Sequence, residues 1–357
     1  MGINKNTVKV IKETLDNVAS YQELGQHYAL REGFVFTKGH RDRIFDEIVV
    51  RSPSNANCYS PIFPIADKTI DDYINVINGA RLEDALVFAK DLSFLTKCPS
   101  LKYVSIKPSD DIDGVLDVSP LYSIKNIKSL SVDMTYGEYP DIKKLKNEID
   151  YSKIKGLICL GIKFDCNNHK NYDKIETLKT LWISQYSKKD LKELFTSKIL
   201  DSLFIITSRI TTLDGISVSD AMQCIHLCYN RSLRDINALK TVKSTLKVLI
   251  IDSCPKIADF SVLKELNNLE VLVLKGSNKL SDLQFLRTLN NLKIFDFNME
   301  IEDGDLTPCL SIPYVFCEKS RKKYNLKNED LPSNKVDLKN TGMENVEYWR
   351  RIIDRII

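Results

Sequence analysis

Three potential metal ligands alternate along the segment "CIHLC", residues 224–228: Cys224, His226 and Cys228. In a strand their side chains would point to one face, but alternate residues lie about 6.8 Å apart. Tetrahedral zinc needs its ligands within about 2.3 Å of one ion. No Cys-x-x-Cys pair occurs to complete a set. We therefore predict no metal site and interpret these cysteines as small core or surface residues.

Nucleophilic and phosphate chemistry also lacks its usual motifs. The segment "GISVS" begins at Gly215 but ends in Ser219, so it is not the Gly-x-Ser-x-Gly turn of a hydrolase. No Gly-x-x-x-x-Gly-Lys-Ser/Thr loop occurs, and the paired carboxylates Asp71–Asp72 are typical of a loop or a helix cap. The sequence predicts no catalytic residue and no cofactor. An enzyme built by the terminal regions is the least favoured alternative.

The composition is that of a folded chain without a strong charge bias. Of the 357 residues, 43% are hydrophobic, which is enough for a sizeable core. The 51 basic and 48 acidic residues nearly balance, so nothing favours nucleic acid or a membrane as partner. The first residues lack the apolar core of a signal peptide, and the nine cysteines show no disulfide framework. We expect a soluble, cytoplasmic protein.

An internal repeat organises most of the chain. The pattern apolar-x-x-apolar-x-apolar recurs, and six consecutive intervals lie between 21 and 24 residues. Such a period indicates a solenoid of stacked units. The units begin at Leu101, Ile127, Leu157, Leu178, Leu200, Met222, Leu246, Leu269 and Leu292.

The pattern of each unit predicts one short strand followed by a brief helical segment. The fourth and sixth positions alternate with the third and fifth, so the two sets face opposite sides of the strand. Segments such as "ADFSVLKELNN" between strands have apolar residues at roughly helical spacing. We therefore predict a curved α/β solenoid with a parallel concave sheet, short helices or turns on the convex side, and atypical capping ends.

Two segments of the repeat region are similar to a known family: "DVSPLYSIKNIKSLSV", residues 117–132, and "LEVLVLKGSNKLSDLQFLRTLNNLKIF", from Leu269. They resemble the 22-residue leucine-rich repeats of internalins and of a protein-phosphatase-1 regulatory subunit, over about residues 80–300. The resemblance implies the fold but no particular function, since that fold carries many binding roles. The family's ninth position is usually Asn or Cys. Here it is Asn230 and Cys254 in two units but other residues elsewhere, Ser277 among them, so we expect an imperfect ladder of turn hydrogen bonds.

The ends depart from the repeat. We expect residues 1–75 to form an N-terminal cap or flanking region, residues 76–300 the leucine-rich repeats, and residues 301–357 a C-terminal cap. The segment 134–152 is longer than a standard unit and could be a loop or a distorted helix. An amphipathic terminal helix would pack on the body or bind a partner, and its apolar residues are Val346, Trp349, Ile352, Ile353 and Ile356.

The fifth position of each unit should face away from the core, yet its residues are large in the middle repeats. Neighbouring strands place equivalent positions side by side, so these residues would form a contiguous exposed patch on the concave face. Such a patch usually marks an interaction site, although self-covered structural packing remains the alternative. The candidate partner-binding residues are Trp182, Phe204, His226, Ile250 and Val273, with Ile206, Val248, Asp252 and Lys275 beside them.

The resulting functional prediction is a non-enzymatic protein-binding module. It would hold a protein partner on the concave face as a scaffold, inhibitor or immunity protein, with mixed charges setting orientation. Trp182, Phe204 and His226 would be the anchors, and His226 would make binding sensitive to pH. The alternative is an internalin-like adhesin or a host-directed secreted effector. The basic run at 318–327 is more typical of a solvated face than of a nucleic-acid site.

Overall fold

The structure, a computed structural model, describes part of the 357-residue chain, which divides into two compact units, Met1–Thr177 and Leu178–Ile357. The predicted boundaries of the caps and of the repeat region remain predictions. The predicted terminal helix and most of the 134–152 segment lie outside the described residues. The described residues are 22–23, 28–31, 34–37, 47–51, 68–88, 91–106, 115–132, 144–145, 148–164 and 169–332.

The first unit contains a sheet that begins antiparallel and continues parallel. Its first four strands form antiparallel pairs, and β4, β5, β6, β8 and β11 then follow in parallel. The pairs β7–β9 and β10–β12 are separate two-stranded sheets. The strands are β1 Gln22–Glu23, β2 Tyr28–Arg31, β3 Phe34–Thr37, β4 Glu47–Arg51, β5 Asp84–Phe88, β6 Tyr103–Ile106, β7 Val115–Leu116, β8 Ser129–Val132, β9 Lys144–Leu145, β10 Ile149–Asp150, β11 Cys159–Lys163 and β12 His169–Lys170.

One α-helix, α1 (Ile70–Ala80), lies in the described part of this unit. The Thr69 hydroxyl accepts a hydrogen bond from the Asp72 amide, and the Asp72 carboxylate accepts one from the Thr69 amide, which satisfies two donors at the helix start. The Thr69 backbone N–H holds the pKa of Asp72 below its usual value. The predicted cap role of this carboxylate is therefore confirmed. The helix ends at Arg81, which adopts a left-handed conformation with φ 54°.

The second unit is built on one parallel sheet in the order β13, β14, β15, β16, β17, β19, β21. The pair β18–β20 stands apart from it. The last strand ends at Cys317, within the predicted C-terminal region. The strands are β13 Thr180–Ser184, β14 Ser202–Ile206, β15 Cys224–Cys228, β16 Val248–Asp252, β17 Val271–Lys275, β18 Lys279–Leu280, β19 Ile294–Phe297, β20 Glu300–Ile301 and β21 Tyr314–Cys317.

The leucine positions of the repeat form the main core of this sheet. Leu181, Leu203, Ile225, Leu249 and Leu272 are in register on consecutive strands and are buried. Between strands the chain forms short 3-10 helical turns that stack on one another, in place of the longer helices of other solenoids. The predicted parallel sheet and short helical turns are thus present. The turns of this unit are Ile216–Val218, Asn237–Val242, Ser261–Glu265, Gln284–Thr288, Thr307–Ser311 and Asn328–Asp330.

A ladder of side chains closes the turns after the strands. The Asn230 side chain accepts from the Ser208 amide at 3.0 Å and donates to the Ile205 carbonyl at 2.7 Å. In the repeat with one added residue, Asn278 donates to the Cys254 carbonyl. Asn278 follows Ser277, the predicted ninth position of that repeat, and also donates to the Ile257 carbonyl at 2.8 Å.

Candidate functional site

The predicted column of fifth-position residues exists, and strand pairing puts its members side by side. Trp182 pairs with Phe204, Phe204 with His226, His226 with Ile250, and Ile250 with Val273. Parallel strands hold such neighbours about 4.8 Å apart. We call the side of this sheet that carries the third, fifth and seventh positions the aromatic face.

The aromatic residues of this face are in direct contact. The rings of Trp182 and Phe204 are stacked, with centroids 3.6 Å apart and planes at 1°. The Phe204 and His226 rings meet edge to face at 5.9 Å and 68°. The stack continues into an apolar cluster that spans the sheet from β14 to β21. Its buried members are Phe204, Cys224, Val248, Ile250, Val271, Val273, Ile294 and Tyr314, with Trp182 and Phe316 partly buried beside them.

The prediction that this face is exposed is wrong for most of its residues. Phe204, Ile250 and Val273 retain 2%, 1% and 0% of their accessible surface. Val248, His226 and Lys275 are buried as well. Only Trp182, Ile206 and Asp252 of the nine candidates remain partly exposed. The physical reason is that the apolar side chains form a second core on this side of the sheet.

Sheet neighbours alone do not account for that burial. On β6, β8, β11 and β13, third- and fifth-position residues such as Ser105, Ser131 and Trp182 stay partly exposed, while the core-facing residues are buried. On β14, β15, β16 and β17 the residues of both faces are buried from the third to the sixth position of the repeat. The shielding of the aromatic face therefore begins at β14, next to Trp182.

A group of charges lies at the other end of the face. The Lys275 ammonium is buried, contacts the Asp296 carboxylate at 2.8 Å and also donates to Glu318. Asp252 stands beside Lys275 on the neighbouring strand. Burial raises the pKa of Asp296, whereas the Lys275 contact holds that of Glu318 below its usual value despite partial burial. Two carboxylates contact one ammonium and a third lies on the neighbouring strand, so this end of the face is acidic.

Tyr314, Phe316 and Glu318 complete the site and were missed by sequence reasoning. The sequence analysis ended the repeats at residue 300, so the segment "SIPYVFCE" was assigned to the C-terminal cap. Its alternate residues face the other side, in register with the third and fifth positions of β19. Continuing the repeat by one unit would have found them.

His226 is buried and its Nδ1 has no hydrogen-bond partner among the described residues. Burial lowers its pKa from 6.5 to about 4, although nearby Asp252 acts in the opposite direction. The imidazole is therefore neutral at pH 7. Protonation of this ring in the folded protein therefore requires a pH well below neutrality, and the predicted pH dependence of binding stays a prediction.

We expect this histidine to weaken the fold in acid. The folded-state pKa of about 4 lies below the unfolded value of 6.5, so the unfolded chain binds a proton that the folded chain does not. Between these pH values the free energy of unfolding should fall by about 1.4 kcal/mol per pH unit from this group. Urea unfolding at pH 7.0, 5.5 and 4.5 should give a shallower dependence for His226→Gln than for wild type. Parallel dependences would contradict the buried neutral histidine.

The described residues give no indication of catalysis. They contain no group of three or more His, Cys, Asp or Glu that could hold a metal ion. Burial raises the pKa of Cys228 to about 12, so its thiol is protonated and is a poor ligand or nucleophile. A groove of about 530 Å³ lies away from the aromatic face, and there Glu270 pairs with Lys293 at 2.8 Å. No helix in the described ranges is long and apolar enough to cross a bilayer.

Several solved structures are similar to part of this chain. No protein-family model and no curated protein matches the chain. An internalin (inlF) from Listeria monocytogenes is 18% identical, with a TM-score of 0.47, over 69% of this chain and 71% of that chain. TLR13 in its ssRNA13 complex is 14% identical, with a TM-score of 0.45, over 70% of this chain and 44% of TLR13. A leucine-rich-repeat protein from Leptospira interrogans is 14% identical, with a TM-score of 0.33, over 66% and 54% of the two chains.

Proposed function

We propose that this leucine-rich-repeat chain is a protein-binding module that holds a protein partner on its aromatic face. One observation carries the proposal: an apolar cluster covers the sheet face that the repeat core does not use, and Trp182 is partly exposed at its margin. Trp182 would be the anchor that a partner reaches, with Ile206 and Asp252 partly exposed beside it. The other candidate residues are buried, so they would contact the partner only when binding uncovers them: Phe204, His226, Val248, Ile250, Val273 and Lys275.

The repeats do not need aromatic residues on this face. The equivalent positions of β6, β8 and β11 are Ser105, Ser131 and Gly161, and those strands pair in the same parallel register. Large residues from β13 onward are therefore an addition to what stacking requires. Trp is among the residues that contribute most to binding at protein interfaces, which supports a partner at this margin.

The charges of the face favour a protein over a nucleic acid. Phosphate backbones are bound by several Lys or Arg side chains. Here a single Lys275 contacts Asp296 and Glu318, and Asp252 lies on the neighbouring strand. Binding would act by occlusion or scaffolding, as in an inhibitor or an immunity protein, without catalysis. The alternative of an adhesin or secreted effector uses the same face. Recovery of the protein from culture supernatant or from the cytosol separates these roles.

Replacing the partly exposed Trp182 should weaken capture of the partner strongly. We expect Trp182→Ser to lower partner affinity by about 2 kcal/mol or more, roughly 30-fold, because it removes the stacked ring at the margin of the face. Affinity capture from the native cell, with melting temperatures as a folding check, measures this. Ile199→Ser, which changes a 46% exposed apolar residue elsewhere, should capture like wild type. Equal capture by Trp182→Ser would contradict the proposal.

A further inference from the structure

We infer that the partner of the proposed site is a protein with an acidic surface, which docks on a row of basic residues beside the aromatic face. The inference rests on the proposed function, because it names the partner chemistry of the same site. The row lies just beyond the carboxyl ends of strands β13 to β16. We call it the basic edge, and its members are Lys188, Arg209, Arg231 and Lys256.

Backbone hydrogen bonds keep the repeats aligned along the basic edge, beyond the ends of the strands. The Thr207 amide, directly after β14, donates to the Cys228 carbonyl at the end of β15, at 2.9 Å. The Arg209 amide donates to the Tyr186 carbonyl of the preceding repeat at 2.8 Å. Equivalent positions of neighbouring repeats therefore lie side by side at this edge, as they do within the sheet.

The basic edge carries positive charge without acidic residues between its members. In the four repeats of residues 178–268, positions eight to eleven contain these four cations and neither Asp nor Glu. All four residues are exposed. Within the described ranges, Arg209, Arg231 and Lys256 form no ion pair. Lys188 has a carboxylate at 3.4 Å, and both side chains of that pair are more than half exposed. The edge is therefore available to an acidic partner.

Exposed apolar surface joins the basic edge to Trp182. Tyr229 directly follows β15 and is 51% exposed. Ile206 ends the strand that lies between those of Trp182 and Tyr229, and it is partly exposed. Trp, Tyr and Arg are the residue types that contribute most to binding at protein interfaces. The margin of the aromatic face thus presents an apolar strip beside a basic one.

The backbone at Tyr229 gives an independent reason to assign its side chain to binding. The residue has φ 54°, in the left-handed region, where a Cβ atom crowds the neighbouring backbone. Gly or Asn is favoured in this conformation, and a bulky aromatic residue is not. Because half of the ring is exposed, packing within the fold offsets little of this strain. Strained residues of this kind occur preferentially at functional sites.

An acidic row on the far side of the basic edge favours a protein over a nucleic acid. Asp190, Asp235 and Asp259 follow members of the edge within two to four residues and accept backbone hydrogen bonds at 3.1, 2.8 and 2.8 Å. A phosphate backbone carries one negative charge per nucleotide and would be repelled by this row. A protein can instead present a narrow strip of carboxylates beside an apolar strip, which matches both strips of the margin.

A labelled helical peptide of five Glu-Leu-Ala-Gln repeats tests the inference by fluorescence anisotropy on the full chain. Its glutamates recur about every 6 Å, close to the strand spacing of about 4.8 Å, and its leucines lie beside them. We expect the variant Arg209→Glu, Arg231→Glu to bind this peptide at least 10-fold more weakly than wild type. The control Lys198→Glu, Lys240→Glu reverses two exposed charges outside the edge and should bind like wild type. Equal binding to all three chains, or none to wild type, would overturn the inference.

A labelled 20-nucleotide oligothymidylate is the second probe. We expect it to bind wild type at least 10-fold more weakly than the acidic peptide does, because the acidic row repels it. Tighter binding of the oligonucleotide, lost in Arg209→Glu, Arg231→Glu, would overturn the inference and identify the basic edge as a nucleic-acid site. Melting temperatures of all variants check that the fold is retained.

The variant Tyr229→Gly separates a binding role of this residue from a structural one. Glycine adopts the left-handed conformation without a clash, so the variant should melt at or above the wild-type temperature. It should nevertheless bind the acidic peptide several-fold more weakly, because the exposed ring is lost. Unchanged peptide binding would overturn the apolar part of the inference.

Failure of the inference and failure of the proposed function give different results. If Trp182→Ser loses the cellular partner while Arg209→Glu, Arg231→Glu retains both the partner and the peptide, the proposed function stands and the acidic partner is wrong. If Trp182→Ser still captures the cellular partner, the proposed function itself fails.

Discussion

Phe204→Ala should be among the most destabilising single changes on the sheet, lowering the free energy of unfolding by about 3–5 kcal/mol. The side chain retains 2% of its surface and is stacked on Trp182, so truncation would leave a cavity in the second core. Urea unfolding of the full chain measures the change. A residue on an open sheet face would instead lose only a fraction of that amount.

Two further variants serve as comparisons for Phe204→Ala. Leu310→Ala removes a similar apolar side chain that is 49% exposed, and it should change the unfolding free energy by less than about 0.5 kcal/mol. For Trp182→Ala, whose side chain is partly exposed at the margin of the face, the loss of unfolding free energy should lie between these two values. A Phe204→Ala effect no larger than that of Leu310→Ala would mean that the face is open, and the description of a covered second core would be wrong.

Lys275→Met should be comparably destabilising, by about 3–5 kcal/mol, for an electrostatic reason. Its ammonium is the cation that contacts both Asp296 and Glu318, and Asp296 is buried. Removing it leaves buried negative charge without compensation. Chemical unfolding at pH 7 measures the loss.

The matched comparison is Lys293→Met, because Lys293 pairs with Glu270 at the same 2.8 Å but is far more exposed. That variant should cost at most about 1 kcal/mol. The double variant Lys275→Met, Asp296→Leu should recover much of the stability lost by Lys275→Met, since the orphaned carboxylate is removed as well. If both lysine variants cost the same, the Lys275 group would be an ordinary surface ion pair.

Periodicity was sufficient to predict the repeats, because the fold is specified by local spacing. The interval of 21–24 residues placed Leu181, Leu203 and Ile225 on the core side and Trp182, Phe204 and His226 together on the other, as the strand pairing has them. Each contact joins neighbouring repeats, so an error in one unit does not spread.

Exposure could not be predicted in this way, because alternation tells which side a residue faces and not what lies over that side. Phe204 and Ser131 occupy equivalent positions, yet only the former is buried. The missing information lies in contacts that the spacing within one repeat does not specify. The low pKa of His226 has the same origin, since it follows from burial of a ring that the repeat pattern would leave in water.

The most direct test of the binding role of the aromatic face is a photo-crosslinking capture in the native cell. A photo-reactive phenylalanine analogue is placed in place of Trp182 and, as the control, in place of Ile199. The account predicts that the partner is crosslinked from position 182 and not from position 199. A partner crosslinked from position 199 alone, with none from 182, would contradict the aromatic face as the binding site.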